Sequence, residues 1–541
     1  MALLFDLFGY LSIVLHGLTI AGQAATLGGV VFLLALARPF AGQLGTDITR
    51  GAARITFWAA LALAGCEAVK LAMQAALLVG TVDLTVPQAL GAQFALAGLV
   101  KIAAALVLAV LLARGATQPW PALALPAVVI LVAATFTTHA AARLSGELPL
   151  LIVSGAHQLG AAIWLGGLPC FLWALKRANT GEAWRLIGAR YSRLSMLGVG
   201  IILLSALGIA LAYIGTWQGL YGSAYGVMAS AKIAMLGMLL LLGLGNFLLV
   251  ERLRADPTTP VLRLRRFVEV EIGIGLTIFL AASSLTSVPP AIDIPHEQVT
   301  WQELVERNTP HWPRLESPDH DALALPALQA KLDAEAKGHA AFTPGAGQLP
   351  PRNAADIAWS EYNHHWAGIF VALVGLLALA ERAGLRAARH WPLVFLGLAG
   401  FLLLRSDPEV WPMGHIGIFE SLLDVEVLQH RMAALLVVVF ALFEWRVRVG
   451  GLKGSKAELV FPLMCAVGGM LLLTHSHAIA NTKEQLLIEI SHTPLALAGL
   501  AAGWARWLEL RLDGPVARAA GWVWPVCLLV VGLVLLGYRE A

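Results

Sequence analysis

Long apolar runs separated by short polar segments organise the whole chain. Uninterrupted apolar stretches of about 18 or more residues recur along it, the length a helix needs to cross a hydrocarbon core of ~30 Å. The pattern therefore predicts an all-α, polytopic membrane protein with about fourteen transmembrane helices. Their predicted bounds are 8–36, 54–79, 89–113, 120–139, 149–175, 194–214, 227–250, 267–288, 364–381, 391–404, 428–445, 458–474, 491–510 and 521–538.

The composition agrees with this pattern and excludes several classes of protein. Of the 541 residues, 58% are hydrophobic and 13% are charged, which is more apolar than a soluble protein of this size requires. No Lys or Arg precedes Arg38, so the first run lacks the basic start of a signal peptide and is predicted to be retained. The four cysteines are scattered without CxxC spacing, and no GxxxxGK[ST] motif is present. We expect neither an ATP-driven pump, nor an enzyme, nor a nucleic-acid partner.

The loops between the predicted helices alternate in charge. One set carries most of the Lys and Arg residues, in the segments 38–54, 114, 176–193, 252–266, 382–389, 446–456 and 506–518. The short loops of the other set hold only Arg143, Arg405 and Lys483, with Arg431 just inside a helix. Under the positive-inside rule the first set is cytoplasmic. This predicts a bacterial inner-membrane protein with both termini on the periplasmic side.

A polar segment interrupts the apolar pattern near the middle of the chain. It is rich in Pro, His and charged residues, and the alternation places it outside. We predict three parts: an eight-helix membrane domain at 1–291, a periplasmic insert at 292–358, and a six-helix, His-rich membrane domain at 359–541. An insert of roughly 70 residues is marginal as an independent domain, so we expect it to dock on the membrane part or to remain a flexible segment.

The histidines are distributed unevenly across the predicted membrane. In this topology fourteen of the fifteen lie at or near the periplasmic side, and only His390 lies inside. Imidazole binds divalent first-row metals, and a mixture of His and Met at the outer face favours copper over zinc. A hydrogen-bonded interfacial role is the alternative for each histidine taken alone. The predicted copper ligands are His16, His139, His157, His364, His365, Met413, His415, His430, His475, His477 and His492.

Several charged residues fall within the predicted helices. Glu67 and Lys70 share one face of a helix at i,i+3, while Lys101 and Lys232 lie on other helices. Each costs about 2.5–3.5 kcal/mol at a helix centre, so such residues face a protein interior or a wet cavity. They predict either an ion or proton path, or a structural ion pair of Glu67 with Lys70 or Lys101. Three polar residues are expected to reach the predicted cytoplasmic surface, namely Asn246, Glu269 and Glu271.

Three motifs resemble the copper resistance protein D (CopD) family. They are HQLGAAIWLGGL at 157–168, GLGNFLL at 243–249 and RRFVEVEIGIGLTIFLAASSLTSVPPA at 265–291. The segment 411–448 is similar to the C-terminal half of longer members. The resemblance implies an inner-membrane protein of periplasmic copper handling that works beside a small carrier of the CopC type. It also implies that His157 is the family's helix-embedded histidine, with Trp164 and the Gly166–Gly167 pair packing tightly after it. His16 matches this motif less closely.

We therefore predict a copper-binding protein that moves copper ions from the periplasm toward the cytoplasm. External His and Met residues would take up copper, and the intramembrane polar residues would shape its path. One alternative is an electron-transfer protein that holds b-type haem between histidines of facing helices. Another is a factor that delivers copper to a respiratory oxidase without transporting it.

Overall fold

The computed structural model describes residues 2–81, 84–115, 117–142, 146–318, 354–407, 410–414, 416–422, 425–452, 454–474 and 482–539. Within these residues helices and turns account for the fold, and no β-strand is present. The predicted all-α class is confirmed. The helices that correspond to the fourteen predicted spans are α1 (Ala2–Phe32), α2 (Thr46–Thr81), α3 (Gln93–Ala113), α4 (Trp120–Thr135), α5 (Glu147–Ala161), α6 (Gly181–Tyr213), α7 (Ala224–Ala255), α8 (Leu262–Leu285), α9 (Ala354–Arg382), α10 (Val394–Arg405), α11 (Val425–Arg448), α12 (Val460–Leu472), α13 (Thr482–Arg511) and α14 (Gly514–Leu536).

Most of these helices have the dimensions of membrane spans. Among the described residues, 11 helical stretches are long and apolar enough to cross a membrane. α4, α11 and α12 are not among them, and α4 and α12 have only 16 and 13 residues. The chain is therefore a multi-pass helical membrane protein.

The helices are grouped into two compact units. Unit 1 comprises the described residues up to Gln298, and unit 2 comprises nearly all of those from Val299 onward. Unit 1 thus contains α1–α8 and unit 2 contains α9–α14.

In unit 1, α1 packs against α2, α8 and the segment that follows α5. That segment is a π-helical turn, Ala162–Gly166, which leads into the helix Leu168–Arg177. The backbones meet directly at this crossing, because a Cβ atom on Gly166 would lie 1.9 Å from the carbonyl oxygen of Ala24. Gly28 is equally confined against Gly167. Glycine is required here because only its missing side chain allows the helices to approach so closely.

In unit 2, α14 packs along both α9 and α13. The contact with α9 is again backbone to backbone, since a Cβ atom on Gly532 would lie 2.2 Å from the amide nitrogen of Ala372. The rings of Trp391, Phe461 and Trp524 lie 5.4–5.8 Å apart and form an aromatic core beside this contact. Such aromatic clusters bury a large apolar area and fix the helices that carry them.

The described residues of the insert from Val299 onward belong to unit 2. After the short helix Trp301–Arg307 the chain runs along α9, where the backbone N–H of Arg314 donates to Nδ1 of His365 at 2.7 Å. One residue further, the carbonyl of Leu315 accepts a hydrogen bond from the indole of Trp366 at 3.2 Å. Backbone groups that α9 side chains satisfy in this way hold the segment against the membrane part.

Candidate functional site

A buried charged cluster lies between α1, α2 and α3 in unit 1. The Glu67 carboxylate bridges two ammonium groups, with Lys70 Nζ at 3.0 Å and Lys101 Nζ at 3.1 Å. All three side chains are buried. Both ion pairs predicted from the sequence are thus present. The bridging arrangement satisfies the carboxylate, which could not be buried alone without a large desolvation cost.

His16 extends this cluster from α1. Its Nδ1 lies 3.5 Å from Nζ of Lys70, at the long end of the hydrogen-bond range. An ammonium group only donates, so Nδ1 of His16 is the acceptor and Nε2 carries the ring proton. In this arrangement His16 belongs to the polar cluster and does not present a lone pair on Nε2.

His157 is oriented differently. Its Nδ1 lies 3.1 Å from Oγ of Ser205 on α6, and that hydroxyl donates its own proton to the carbonyl of Ile201 at 2.6 Å. The Ser205 oxygen therefore accepts from Nδ1–H of His157, and Nε2 carries the lone pair. In a metal-binding histidine, one ring nitrogen is held by a hydrogen bond and the other keeps a lone pair for the metal. His157 has this arrangement.

A third lysine acts on His157. Lys232 on α7 lies close enough for its charge to influence the imidazole, and within the described residues no carboxylate pairs with it. Beside His157, Gln158 accepts a hydrogen bond from the amide of Gln23 on α1 at 2.8 Å. The helix that carries His157 is therefore tied to α1 and α6 by side-chain bonds, in addition to the glycine crossing.

A second buried carboxylate was not expected. Glu271 on α8 is 2% exposed and is hydrogen-bonded to Asn246 on α7, although both were predicted to reach the cytoplasmic surface. That prediction was wrong because both side chains are buried between helices. The carboxylate of Glu271 faces Gly243 of α7, where a Cβ atom would lie 3.7 Å from its Oε1 and 3.9 Å from the ring of Trp164. Glu269 does bind surface cations, with Arg266 at 2.7 Å and Lys176 at 3.6 Å. The spacing of residues along a helix does not tell which of these two glutamates faces another helix and which reaches cations near the surface.

In unit 2, two of the predicted histidines lie together. The rings of His364 on α9 and His492 on α13 have centroids 6.3 Å apart, and the ring of Tyr538 contacts both. His365 behaves differently, because its Nδ1 accepts from Arg314 and its Nε2 faces the carbonyl of Tyr538 at 2.9 Å. Both nitrogens of His365 are thus used by the backbone, which gives it a structural role in this arrangement.

The other predicted ligands are dispersed. Nδ1 of His430 lies 2.6 Å from a carboxylate oxygen of Asp407, and Met413 is exposed. His415, His475 and His477 lie outside the described residues, as does the side chain of His139. Among the described residues, no group of three or more His, Cys, Asp and Glu side chains is close enough to hold a metal ion.

An ion-pair network at the other ends of α9, α11 and α13 was missed by the sequence analysis. Glu509 accepts from Arg382 at 2.7 Å, from Arg506 at 2.6 Å and from the indole of Trp524 at 2.8 Å. Arg448 lies over the ring of the same tryptophan, 5.1 Å from its centroid. Such a network of paired charges and aromatic rings stabilises the helix bundle.

Part of unit 1 is similar in sequence to a known protein family. Residues 185–285, which span most of α6, all of α7 and all of α8, match the sequence profile of Copper resistance protein D. The chain is also 28% identical over 164 residues to Copper transport protein CutJ of Bacillus subtilis (strain 168). This alignment covers 30% of the chain and 29% of the relative. No solved structure matches the chain. The resemblance to the CopD family predicted from the sequence is confirmed.

Proposed function

We propose that this CopD-family chain is a membrane protein that binds copper ions and moves them from the periplasm toward the cytoplasm through unit 1. The observation that carries the proposal is the hydrogen bond between His157 and Ser205. It anchors Nδ1 of the imidazole and leaves the lone pair on Nε2. Ser205 and Lys232, which both act on His157, lie within the segment that matches the family profile.

The charge of unit 1 explains how copper would be favoured over other cations. Within the predicted spans of α2, α3 and α7, the three described lysines Lys70, Lys101 and Lys232 outnumber the carboxylate of Glu67. Fixed positive charge raises the electrostatic barrier for hydrated cations and for protons. Copper differs because an imidazole lone pair forms a coordination bond with it, which offsets the repulsion.

The source of copper follows from the same proposal. Arg314 and Leu315 of the insert bind α9 of unit 2 through backbone groups, and among the described residues the insert brings no cluster of metal ligands to it. We infer that copper reaches the protein from a separate periplasmic carrier of the CopC type. No nucleotide-binding motif is present in the sequence, so the membrane potential or the copper gradient would drive the flux.

The test compares cellular copper and bound copper in matched variants. Cells that express the protein should accumulate cytoplasmic copper, and His157→Ala should abolish this accumulation and lower the copper bound by the purified protein. His296→Ala is the control because His296 is exposed in the segment after α8. Bound copper without any rise in cytoplasmic copper would favour delivery to a partner protein. Unchanged binding and flux in His157→Ala would refute the proposal.

A further inference from the structure

A carboxyl group and an amide are buried against each other between α7 and α8 of unit 1. Glu271 on α8 is 2% exposed, Asn246 on α7 is 8% exposed, and the two side chains are hydrogen-bonded to each other. The helices are closely packed at this point, since a Cβ atom on Gly243 would lie 3.7 Å from Oε1 of Glu271. The carboxyl group is thus removed from solvent, and its charge state depends on what the neighbouring groups provide.

The helices α7 and α1, which both pack on α8, bring no cation to this carboxyl group. α7 has no titratable residue between Lys232 and Glu251, and α1 has none after His16. His16 itself lies toward the far end of α8, because its neighbour Gly17 meets Leu280. The part of each helix that lies near the carboxyl group is therefore uncharged.

The helix Leu168–Arg177 also packs on α8 and carries one thiol and two cations. Cys170 is buried and is uncharged as a thiol. Lys176 binds Glu269 at 3.6 Å, and Arg177 lies over an indole ring, 4.5 Å from its centroid. Both cations are thus engaged with other groups and do not neutralise the buried carboxyl group.

Tyr191 is the titratable side chain that acts on Glu271 from α6. Its hydroxyl donates its one proton to the carbonyl oxygen of Trp164 at 2.6 Å, so it does not donate to the carboxyl group. A carboxylate at Glu271 would therefore be buried with the amide of Asn246 as its support and without a counter-charge, which is strongly unfavourable.

The amide of Asn246 is matched to a protonated carboxyl group. An ionised carboxylate only accepts hydrogen bonds, so it can pair only with the NH2 group of the amide. The other end of the same amide, Oδ1 of Asn246, is buried and has no hydrogen-bond partner. A carboxylic acid carries one O–H donor beside an accepting oxygen, so a proton on Glu271 provides the kind of donor that Oδ1 lacks. Burial and hydrogen bonding both favour the acid form of Glu271.

The helical segment that carries the proposed copper ligand reaches the same place. The ring of Trp164 lies 3.9 Å from the Cβ position on Gly243, so this ring and Oε1 of Glu271 surround one point. Trp164 belongs to the π-helical turn that continues α5, about two turns after His157. One continuous segment therefore joins the proposed copper ligand to the Glu271–Asn246 pair.

We propose that Glu271 and Asn246 form a proton-binding site inside unit 1, and that its proton is exchanged when copper passes through the unit. The second part rests on the proposed function. The O–H bond of Glu271 breaks when a copper ion brings positive charge into the unit, because a nearby cation favours the carboxylate, and the proton leaves to water. The carboxylate takes up a proton again when the ion leaves, so one proton is exchanged for each copper ion.

Infrared spectroscopy tests the proton site on the full-length protein at neutral pH, in a detergent without ester or carboxyl groups. The difference between the wild type and Glu271→Gln should show the C=O stretch of one protonated carboxyl group. Glu269→Gln is the matched control on the same helix, because Glu269 binds Arg266 at 2.7 Å and its replacement should remove a carboxylate band instead. A carboxylate band in the Glu271→Gln difference spectrum would refute the site.

Asn246→Ala provides a second measurement that does not depend on the folding of Glu271→Gln. It removes the hydrogen-bond partner and keeps the acid, so the C=O band should remain and move to a different frequency. An unchanged band frequency in Asn246→Ala would show that the amide does not support the proton, and the Glu271–Asn246 site would be wrong.

Reconstituted vesicles test the exchange. Copper uptake by vesicles that contain the wild type should drive protons in the opposite direction, as measured with a pH-sensitive dye against vesicles without protein. Glu271→Gln should abolish this proton movement and keep the copper binding of the purified protein, whereas Glu269→Gln should behave as the wild type. Equal proton movement per copper ion in Glu271→Gln and the wild type would overturn the exchange.

This proposal and the proposed function fail in distinguishable ways. If vesicles with the wild type take up no copper, transport and exchange are both wrong, and the infrared band still decides the proton site. If copper uptake depends on His157 but the proton movement does not depend on Glu271, the proposed function stands and the exchange is wrong.

Discussion

Nζ of Lys101 on α3 lies 3.1 Å from Oε2 of Glu67 on α2, and neither side chain is more than 2% exposed. The same carboxylate also binds Lys70 within α2 at 3.0 Å. Three charges are thus buried together, and the carboxylate is the member on which the other two depend. This dependence predicts that the three residues differ in their importance for stability.

Replacement of Glu67 should be the most damaging change in this cluster. Glu67→Gln leaves two buried ammonium groups without a counter-charge, so the free energy of unfolding should fall by about 3–5 kcal/mol. Lys101→Met should cost less, because Glu67 keeps Lys70 as its partner. Unfolding of the detergent-solubilised protein by heat or by denaturant measures both. Asp47→Asn is the control, since the exposed Asp47–Arg50 pair should contribute less than about 1 kcal/mol. A larger loss for Lys101→Met than for Glu67→Gln would contradict this order.

The crossing of α1 with the segment after α5 should not tolerate a side chain. Gly166→Ala places a methyl group 1.9 Å from the Ala24 carbonyl oxygen, so the helices must separate. Overpacking of this kind costs about 1–3 kcal/mol, which should appear as a lower unfolding temperature and a lower yield of folded protein. Gly200→Ala on α6 is the matched control, because a Cβ atom on Gly200 would have no other atom within 4 Å. Equal stability of the two variants would show that the helices can move apart freely.

Loss of the Ser205 hydroxyl should weaken copper binding at His157 without destroying the fold. Ser205→Ala removes the acceptor that orients Nδ1, and the loss of such a supporting bond typically lowers metal affinity about 10–100-fold. Titration of the purified protein with copper measures the effect. Ser230→Ala is the control, since the hydroxyl of Ser230 donates to the backbone of its own helix, at the carbonyl oxygen of Gly226. If the two serine variants have the same affinity for copper, the tautomer of His157 is not set by Ser205.

The predicted sidedness can be tested with reporters. An enzyme reporter inserted after residue 320 should be active only in the periplasm, because the alternation of loop charges places this segment outside. A reporter inserted after Arg114, in a loop predicted to be cytoplasmic, should show the opposite activity. Cytoplasmic activity of the fusion at residue 320 would invert the predicted topology and the direction of the proposed transport.

Local patterns in the sequence were sufficient to predict the contacts of the buried charged cluster. Residues three apart on a helix lie on the same face, so the pairing of Glu67 with Lys70 follows from spacing alone. Lys101 was predictable as a partner because a charge within a span needs one. The burial of Glu271 beside Asn246 was not predictable, since both positions lie near a helix end and the sequence does not state which face another helix covers.

The sequence by itself determined the all-α class, the multi-pass membrane character and the resemblance of unit 1 to the CopD family, because apolar run length and short motifs are local properties of the chain. Only the tertiary structure decided that His157 lies against Ser205, that His365 is used by the backbone, and that His364 and His492 meet beside Tyr538. Each of these contacts joins residues far apart in sequence. Such contacts depend on which helix faces pack together, and that choice reflects the combined packing of a whole unit.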